Sequence, residues 1–431
     1  MKLAGFIRIG IVFILIILPL FSCLEETSLL PAPTLNSPSS GETDVSTTPD
    51  FSWDPVSGAN RYWLTVAINE SYLPTDPKVT SAPDCVISEG TSSTSYIPGT
   101  PLDENATYYW QVQARYLDGS AITQRGEYSS QSCFMTVIDR ESKITADQAK
   151  ITPETDLLPP VLHSDEYEQP VPMPYPVNTA GAEDSAFMMP DGNTLFVWFT
   201  PDPGIPAEDQ VLDGVTGIYV FQKVDGEWQA PERVILQDCG KASLEGCEFV
   251  QGSTIEQGSA MWFCAAREGY AGLHWFTASY IDGNWTNWQN ADFNPDYQVG
   301  ELHITGDGNE LYFHSSRAGG KGEYDIWVSR NEDGEWQPPR NIDAVNSTDN
   351  EGWPFLTQDG QELWFTRFYM GSPAIFRSKR VNGEWQEPEL IISQFAGESS
   401  MDEDGNIYFT HHFYKDNVML EADIYVAMRK Q

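Results

Sequence analysis

The sequence predicts an all-β protein of two domains, an N-terminal β-sandwich followed by a five-bladed β-propeller that a strand from its own N-terminal side closes. Three observations carry this expectation. Apolar and polar residues alternate in short runs after Pro49, a hairpin signature recurs five times at spacings of roughly fifty residues, and the last copy lacks an outer strand that an upstream segment matches.

The chain opens with Lys2 and Arg8, an apolar run from Ile9 to Leu20, and then Leu20-Phe21-Ser22-Cys23. The run is short for a membrane span, and residues 1–22 have the layout of a secretory signal. Their end resembles the bacterial lipobox, in which a small residue precedes a cysteine that is lipidated. The resemblance implies a lipid anchor on Cys23 and, with Leu24 rather than Asp following, an outer membrane lipoprotein facing the periplasm or the cell surface. Residues 23–30 read as a tether.

Residues 31–138 form the predicted sandwich. Phe51, Trp53, Tyr62, Leu64 and Val66 alternate with polar residues, and Tyr108, Trp110, Val112 and Ala114 do so again. The run from Leu102 to Tyr108 resembles the fibronectin type III family, in which that tyrosine makes a corner hydrogen bond, and the resemblance implies a spacer. Residues 139–162, with Pro153, Pro159 and Pro160, read as a polar linker.

The repeat fills residues 163–431. Asp191-Gly192, Gln257-Gly258, Asp307-Gly308, Asp359-Gly360 and Asp404-Gly405 each precede a run such as Leu311-Tyr312-Phe313, and Asp-Gly supplies the positive φ of a tight hairpin. A second hairpin follows in four copies, at Asp225, Asp282, Asp333 and Asn382, each leading through Gly to a Trp. Four strands per unit indicate propeller blades. The fifth copy stops after Asp423-Ile424-Tyr425-Val426. Glu166-Tyr167-Glu168-Gln169-Pro170 matches Glu227-Trp228-Gln229-Ala230-Pro231, so residues 166–173 are expected to complete the last blade. Gly319-Gly320, Asp325-Ile326-Trp327-Val328-Ser329 and Asn350-Glu351-Gly352-Trp353-Pro354 resemble the WD-like propeller repeat of periplasmic Tol-system proteins and exported bacterial lipoproteins. That resemblance implies a fold and no reaction.

Acidic residues number 63 against 24 basic ones, a formal charge of −39. Such a surface repels nucleic acid and leaves carbohydrate, peptide or protein partners. In an exported protein the cysteines would pair as Cys85 with Cys133 and Cys239 with Cys247, leaving Cys264 buried. No Cys-x-x-Cys or His-x-x-x-His spacing predicts a metal site.

Candidate site residues follow from the blade geometry. The start of each innermost strand lies opposite the hairpin turns, at one mouth of the central channel. Glu183 and Glu351 precede their turns by eight residues, Glu301 and Glu398 by six, and even offsets predict one shared side of the strand. Glu245 or Glu248 would stand for blade two. Arg267, Arg317 and Arg367, with His411 and His412, fall between the second and third strands, where they either brace the blades or join a ligand pocket with His303 and Trp353. The loop from Pro201 to Gly214 is expected to overhang that face. Two functions remain open at this point. One is recognition of a glycan, peptide or protein. The other is glycoside hydrolysis, by resemblance to arabinanase-like five-bladed enzymes, with Glu183, Asp184 and Glu301 as its candidates. No cofactor is expected, although an oxygen-rich ring would suit Ca²⁺.

Overall fold

Alternation along Phe51–Trp53, Arg61–Ala67 and Thr107–Asp118 turns one side of each strand inward, and two sheets close on that side. The computed structural model describes residues 29–431 apart from residues 80, 147, 242, 268, 270, 271 and 293–298. Residues 1–22, expected to be a secretory signal, and Cys23 lie outside the described residues. Among the described residues no helix is long and apolar enough to cross a membrane.

Leu35–Ser37, Phe51–Trp53 and Ser95–Tyr96 form the smaller sheet of the sandwich. The larger one runs in the order Glu42–Val45, Ser132–Thr136, Thr107–Asp118, Arg61–Ala67, Ile87–Thr91, with Ala121–Tyr128 also paired to Thr107–Asp118. Phe51, Trp53, Leu64, Val66, Trp110 and Phe134 fill the space between them, and Phe51 meets Trp110 edge-on at 5.0 Å. The Tyr108 hydroxyl accepts the backbone N–H of Asp103 at 3.0 Å. Leu30, at the end of the expected tether, packs into this same core.

Five blades follow. Their innermost strands are Ala182–Met188, Ser243–Val250, Val299–Ile304, Glu351–Leu356 and Ala396–Met401, each antiparallel to the next strand outward. Aspartate or asparagine at Asp225, Asp282, Asp333 and Asn382 takes the left-handed backbone (φ 51–55°) that the outer hairpins require. The ring closes as expected. Val171–Pro172 pairs antiparallel with Val418–Ala427, and Tyr167 bridges to Arg429. Tyr167 is buried edge-on against Trp364, while buried Arg377 is held by Glu166 at 2.6 Å and Glu389 at 2.6 Å. An additional short strand, Val161–Leu162, pairs with Glu389–Ser393 outside blade four.

The disulfide differs from expectation. Cys133, in the sandwich strand Ser132–Thr136, is bonded to Cys239, in the segment before blade two, so the bond ties one domain to the other. Cys85, Cys247 and Cys264 are free thiols. Pairing within each domain was read from sequence proximity, which carries no information about which strands meet across a domain boundary. Non-reducing peptide mapping should therefore recover a Cys133–Cys239 cross-link, with the other three thiols alkylated after denaturation.

Closure makes a second testable statement. Deleting residues 163–175 removes the closing strand and one of the carboxylates on a buried guanidinium that keeps Glu389, so the charge's share stays below the roughly 3–5 kcal/mol of a fully unpaired buried ion while the strand's own pairing is lost as well. The melting temperature should fall by about 10 °C. Arg377 holds the Glu166 carboxyl down to about 2. Its contribution is thus complete above the ordinary carboxylate range and disappears as pH falls toward about 2, a dependence that E166Q should lack.

Candidate functional site at the channel mouth

Every innermost strand carries an irregularity at the same place. Its register slips between Asp184 and Phe187, Gly246 and Phe249, Val299 and Leu302, Gly352 and Phe355, and Gly397 and Ser400. An extra residue sits in each slip. Ser185, Cys247, Trp353 and Glu398 there have left-handed backbones, with φ of 52°, 56°, 51° and 55°. A bulge of this kind re-aims side chains and breaks the two-residue period. The carboxylates expected to form one ring are therefore split into two layers.

The outer layer is structural. Glu183 is fully buried, with Arg140 at 3.1 Å and the Thr179 hydroxyl at 2.6 Å. Glu245 lies 3.7 Å from Arg233 and 3.8 Å from Arg267, and Glu351 takes Arg367 at 2.7 Å. These arginines turn into the protein. Arg267 donates to the Leu236 carbonyl and lies over the Phe276 ring, Arg367 donates to the Val345 carbonyl, and Arg317 donates to the Ser315 hydroxyl and lies over Phe313. Glu183, Glu351 and the three arginines are thus braces between strands, and Glu183 is out of reach of a substrate. Of the two roles the sequence left open for the arginines, their contacts are those of bracing, and Glu183 and Glu351, expected at the mouth, lie behind it.

The inner layer faces the channel mouth. Ser185, Cys247, Glu248, Glu301, Trp353 and Glu398 line a cavity of about 60 Å³ there. Asp184 and His412 join it: one ligand atom each from Asp184, Glu398 and His412 lie within 4.8 Å of one another. Glu398 accepts the Ser185 hydroxyl at 2.6 Å, and Glu301 accepts the Cys247 thiol at 3.0 Å. Glu301 also lies 3.3 Å from His314, whose ring packs beneath Trp353 at 5.2 Å. Trp353 keeps its predicted place at the mouth. His303 lies deeper, between the rings of Phe249 and Phe355 at 4.6 and 4.9 Å, and burial pushes it down to about 3, so it is a neutral lining residue. The Pro201–Gly214 loop does not line this cavity, and Gly214 lies against Asn105 of the sandwich instead.

Protonation is divided unevenly within the cluster. Burial, followed by the charges of Asp184 and Glu301, raises Glu398 well above the usual carboxylate range. Glu248 is pushed up to about 8, again chiefly by burial with Asp184 and Glu301 adding to it. Burial works against the charge of Asp184 too, yet His412, the Ser185 N–H and the Thr410 hydroxyl together hold it below its ordinary value. Burial likewise opposes a charge on His412, and Asp184 outweighs it and raises the imidazole. Within the cluster the surroundings thus favour the charged form of Asp184 and disfavour that of Glu398 and Glu248.

Asp184, Glu398 and His412 work together here, and the first and last of these were weak in the sequence reading. A signal for Asp184 was present. Aligning the five inner strands at their bulges puts Gly246, Gly300, Gly352 and Gly397 in one column, with Asp184 as the departure.

No protein-family model matches the chain, and no curated protein sequence matches it. Solved structures match in fold. The endo-arabinase from Bacteroides thetaiotaomicron VPI-5482 aligns at 15% identity over 59% of this chain and 96% of that one, with a TM-score of 0.39. A putative TolB from Agrobacterium tumefaciens aligns at 13% identity over 56% and 73%, with a TM-score of 0.35. TolB from Acinetobacter baumannii aligns at 12% over 75% and 77%, with a TM-score of 0.34. Likeness at this level concerns the propeller fold alone.

The Asp184–His412 pair is directly testable. His412 loses its charge as pH rises through its raised value, so D184N should move its NMR titration to lower pH.

Proposed function

We propose that this chain is an exported lipoprotein, anchored through Cys23 and spaced from the membrane by a fibronectin type III-like sandwich, whose propeller mouth binds a neutral, hydroxyl-rich glycan. The observation that carries the reading is an acidic, half-open mouth with aromatic rings beside it. Trp353 is part-exposed over His314, and Tyr414, 37% exposed, stacks on Phe395 at 5.0 Å. Tyr414 is also close enough to Asp184 and Glu398 that their charges, after burial, raise its hydroxyl. Sugar rings stack on such faces while carboxylates accept their hydroxyls. A cavity of about 60 Å³ has room for only a few waters, so the glycan would lie across the mouth rather than enter it. The charge of −39 disfavours anionic chains.

A second reading, glycoside hydrolysis, is favoured by the divided protonation. Glu398 would be the acid and Asp184 the ionised partner, their oxygens within 4.8 Å. Carboxyl groups about 5–5.5 Å apart are the retaining arrangement. Titration calorimetry against a panel of neutral polysaccharides decides between these readings. Binding without product release, weakened about tenfold or more by W353A and by Y414A, is the expected result. Affinity untouched in both variants would remove the mouth as the site. Release of sugars that D184N and E398Q abolish would select hydrolysis.

A further inference from the structure

We propose that Asp184, Glu398 and His412 bind a divalent transition-metal ion at the channel mouth. The three side chains come from three strands, Ala182–Met188, Ala396–Met401 and Ile407–Lys415, which meet at the seam between the fifth blade and the first. One atom from each lies within 4.8 Å of the other two, a separation that small shifts bring to the spacing of ligands around a single ion at about 2.0–2.2 Å. His412 is only loosely engaged. Its Nε2 is 3.4 Å from Asp184, and its buried Nδ1 has no hydrogen-bond partner, while its backbone N–H, bonded to the Phe395 carbonyl at 2.9 Å, fixes the strand beneath it.

An independent observation points to a cation. Glu248 is 5% exposed, lines the mouth cavity together with Glu398, and neither of its carboxylate oxygens has a hydrogen-bond partner. A buried carboxylate left in that state is costly and calls for a positive charge or a proton. No lysine or arginine lines the cavity among the described residues, although three glutamates do. A doubly charged ion held by Asp184, Glu398 and His412 would compensate the cluster. Water on the ion would give Glu248 the donor it lacks. The donor set also selects the class of metal. Ca²⁺ and Mg²⁺ take oxygen ligands, whereas one imidazole with carboxylates suits zinc, manganese, iron or cobalt. The inference does not depend on glycan binding, since the ligands and the orphaned carboxylate are properties of the empty mouth.

The test is a titration of the tag-free chain, stripped with chelator, with Co²⁺ followed by its visible d–d bands, and with Zn²⁺ in competition. One saturable equivalent is expected, with bands bleached by Zn²⁺. D184N and H412Q should weaken Co²⁺ at least a hundredfold and E248Q about tenfold, while H274Q should leave it unchanged; circular dichroism of each metal-free variant shows that it folds. Absence of a saturable spectrum in the parent chain would overturn the proposal. So would equal spectra in D184N and H412Q, or a melt raised by Ca²⁺ with no Co²⁺ site. Glycan binding measured on the stripped protein is a separate readout, so loss of either reading leaves the other standing or falling on its own result.

Discussion

Five innermost strands converge on one axis, and the space between them is what the rest of the propeller must accommodate. Each strand meets it with the same bulge, and four of the five place glycine just before the extra residue. The need is steric. A Cβ at Gly300 would stand 1.7 Å from His314 Nε2, and one at Gly352 would be 3.0 Å from its Nδ1. His314 thus occupies room that only glycine leaves, and its ring in turn supports Trp353. Where the first blade has Asp184 in place of glycine, a carboxylate is delivered to the mouth. A Cβ at Gly246 would meet its nearest neighbour, Trp198, only at 3.5 Å, so the crowding is specific to the third and fourth blades, while Asp184 comes within reach of Glu398 and His412.

The bulge also decides the electrostatics. Carboxylates on the outer side of it meet guanidinium groups, so Glu183, Glu245 and Glu351 are neutralised in pairs that hold strands together. Those on the inner side have no such cation in the cavity lining. Burial there raises Glu398 and Glu248 above the usual carboxylate range, while His412 holds Asp184 below it. Structural ion pairs and the acidic mouth therefore differ by a few residues on the same strands. An isolated buried carboxylate adds nothing to stability, so its presence at Glu248 is better explained by what the mouth holds than by how the ring folds.

Much of the fold was legible because turn chemistry and strand period are local. Asp-Gly hairpins marked each blade, and the Glu-aromatic-x-x-Pro match at Glu166 located the closing strand although its partner lies at the far end of the chain. The site was only partly legible. Glu301 and Glu398 follow from counting back from the turns, but the same count groups them with Glu183 and Glu351 because it takes each strand as regular. One inserted residue per strand invalidates that parity, and nothing in a single strand's composition announces it. The five strands compared with one another do. Pairing of Cys133 with Cys239 was illegible for another reason, since it depends on how two domains meet.

The stretch that looked least informative proves to hold the seam on which the mouth depends. Side chains of the 139–162 stretch reach the first blade and then the fifth before Val161–Leu162 pairs outside blade four. Arg140 there reaches Glu183, Lys150 pairs with Glu421 and Asp423, and Asp156 takes His411 at 3.0 Å. Glu183 is the neighbour of Asp184 in sequence, and His411 the neighbour of His412. Two of the three residues that converge at the mouth are thereby fixed from behind by a segment whose polar, proline-rich composition suggested only a connection. The Cys133–Cys239 disulfide adds a covalent tie between the sandwich, from which that segment departs, and the propeller.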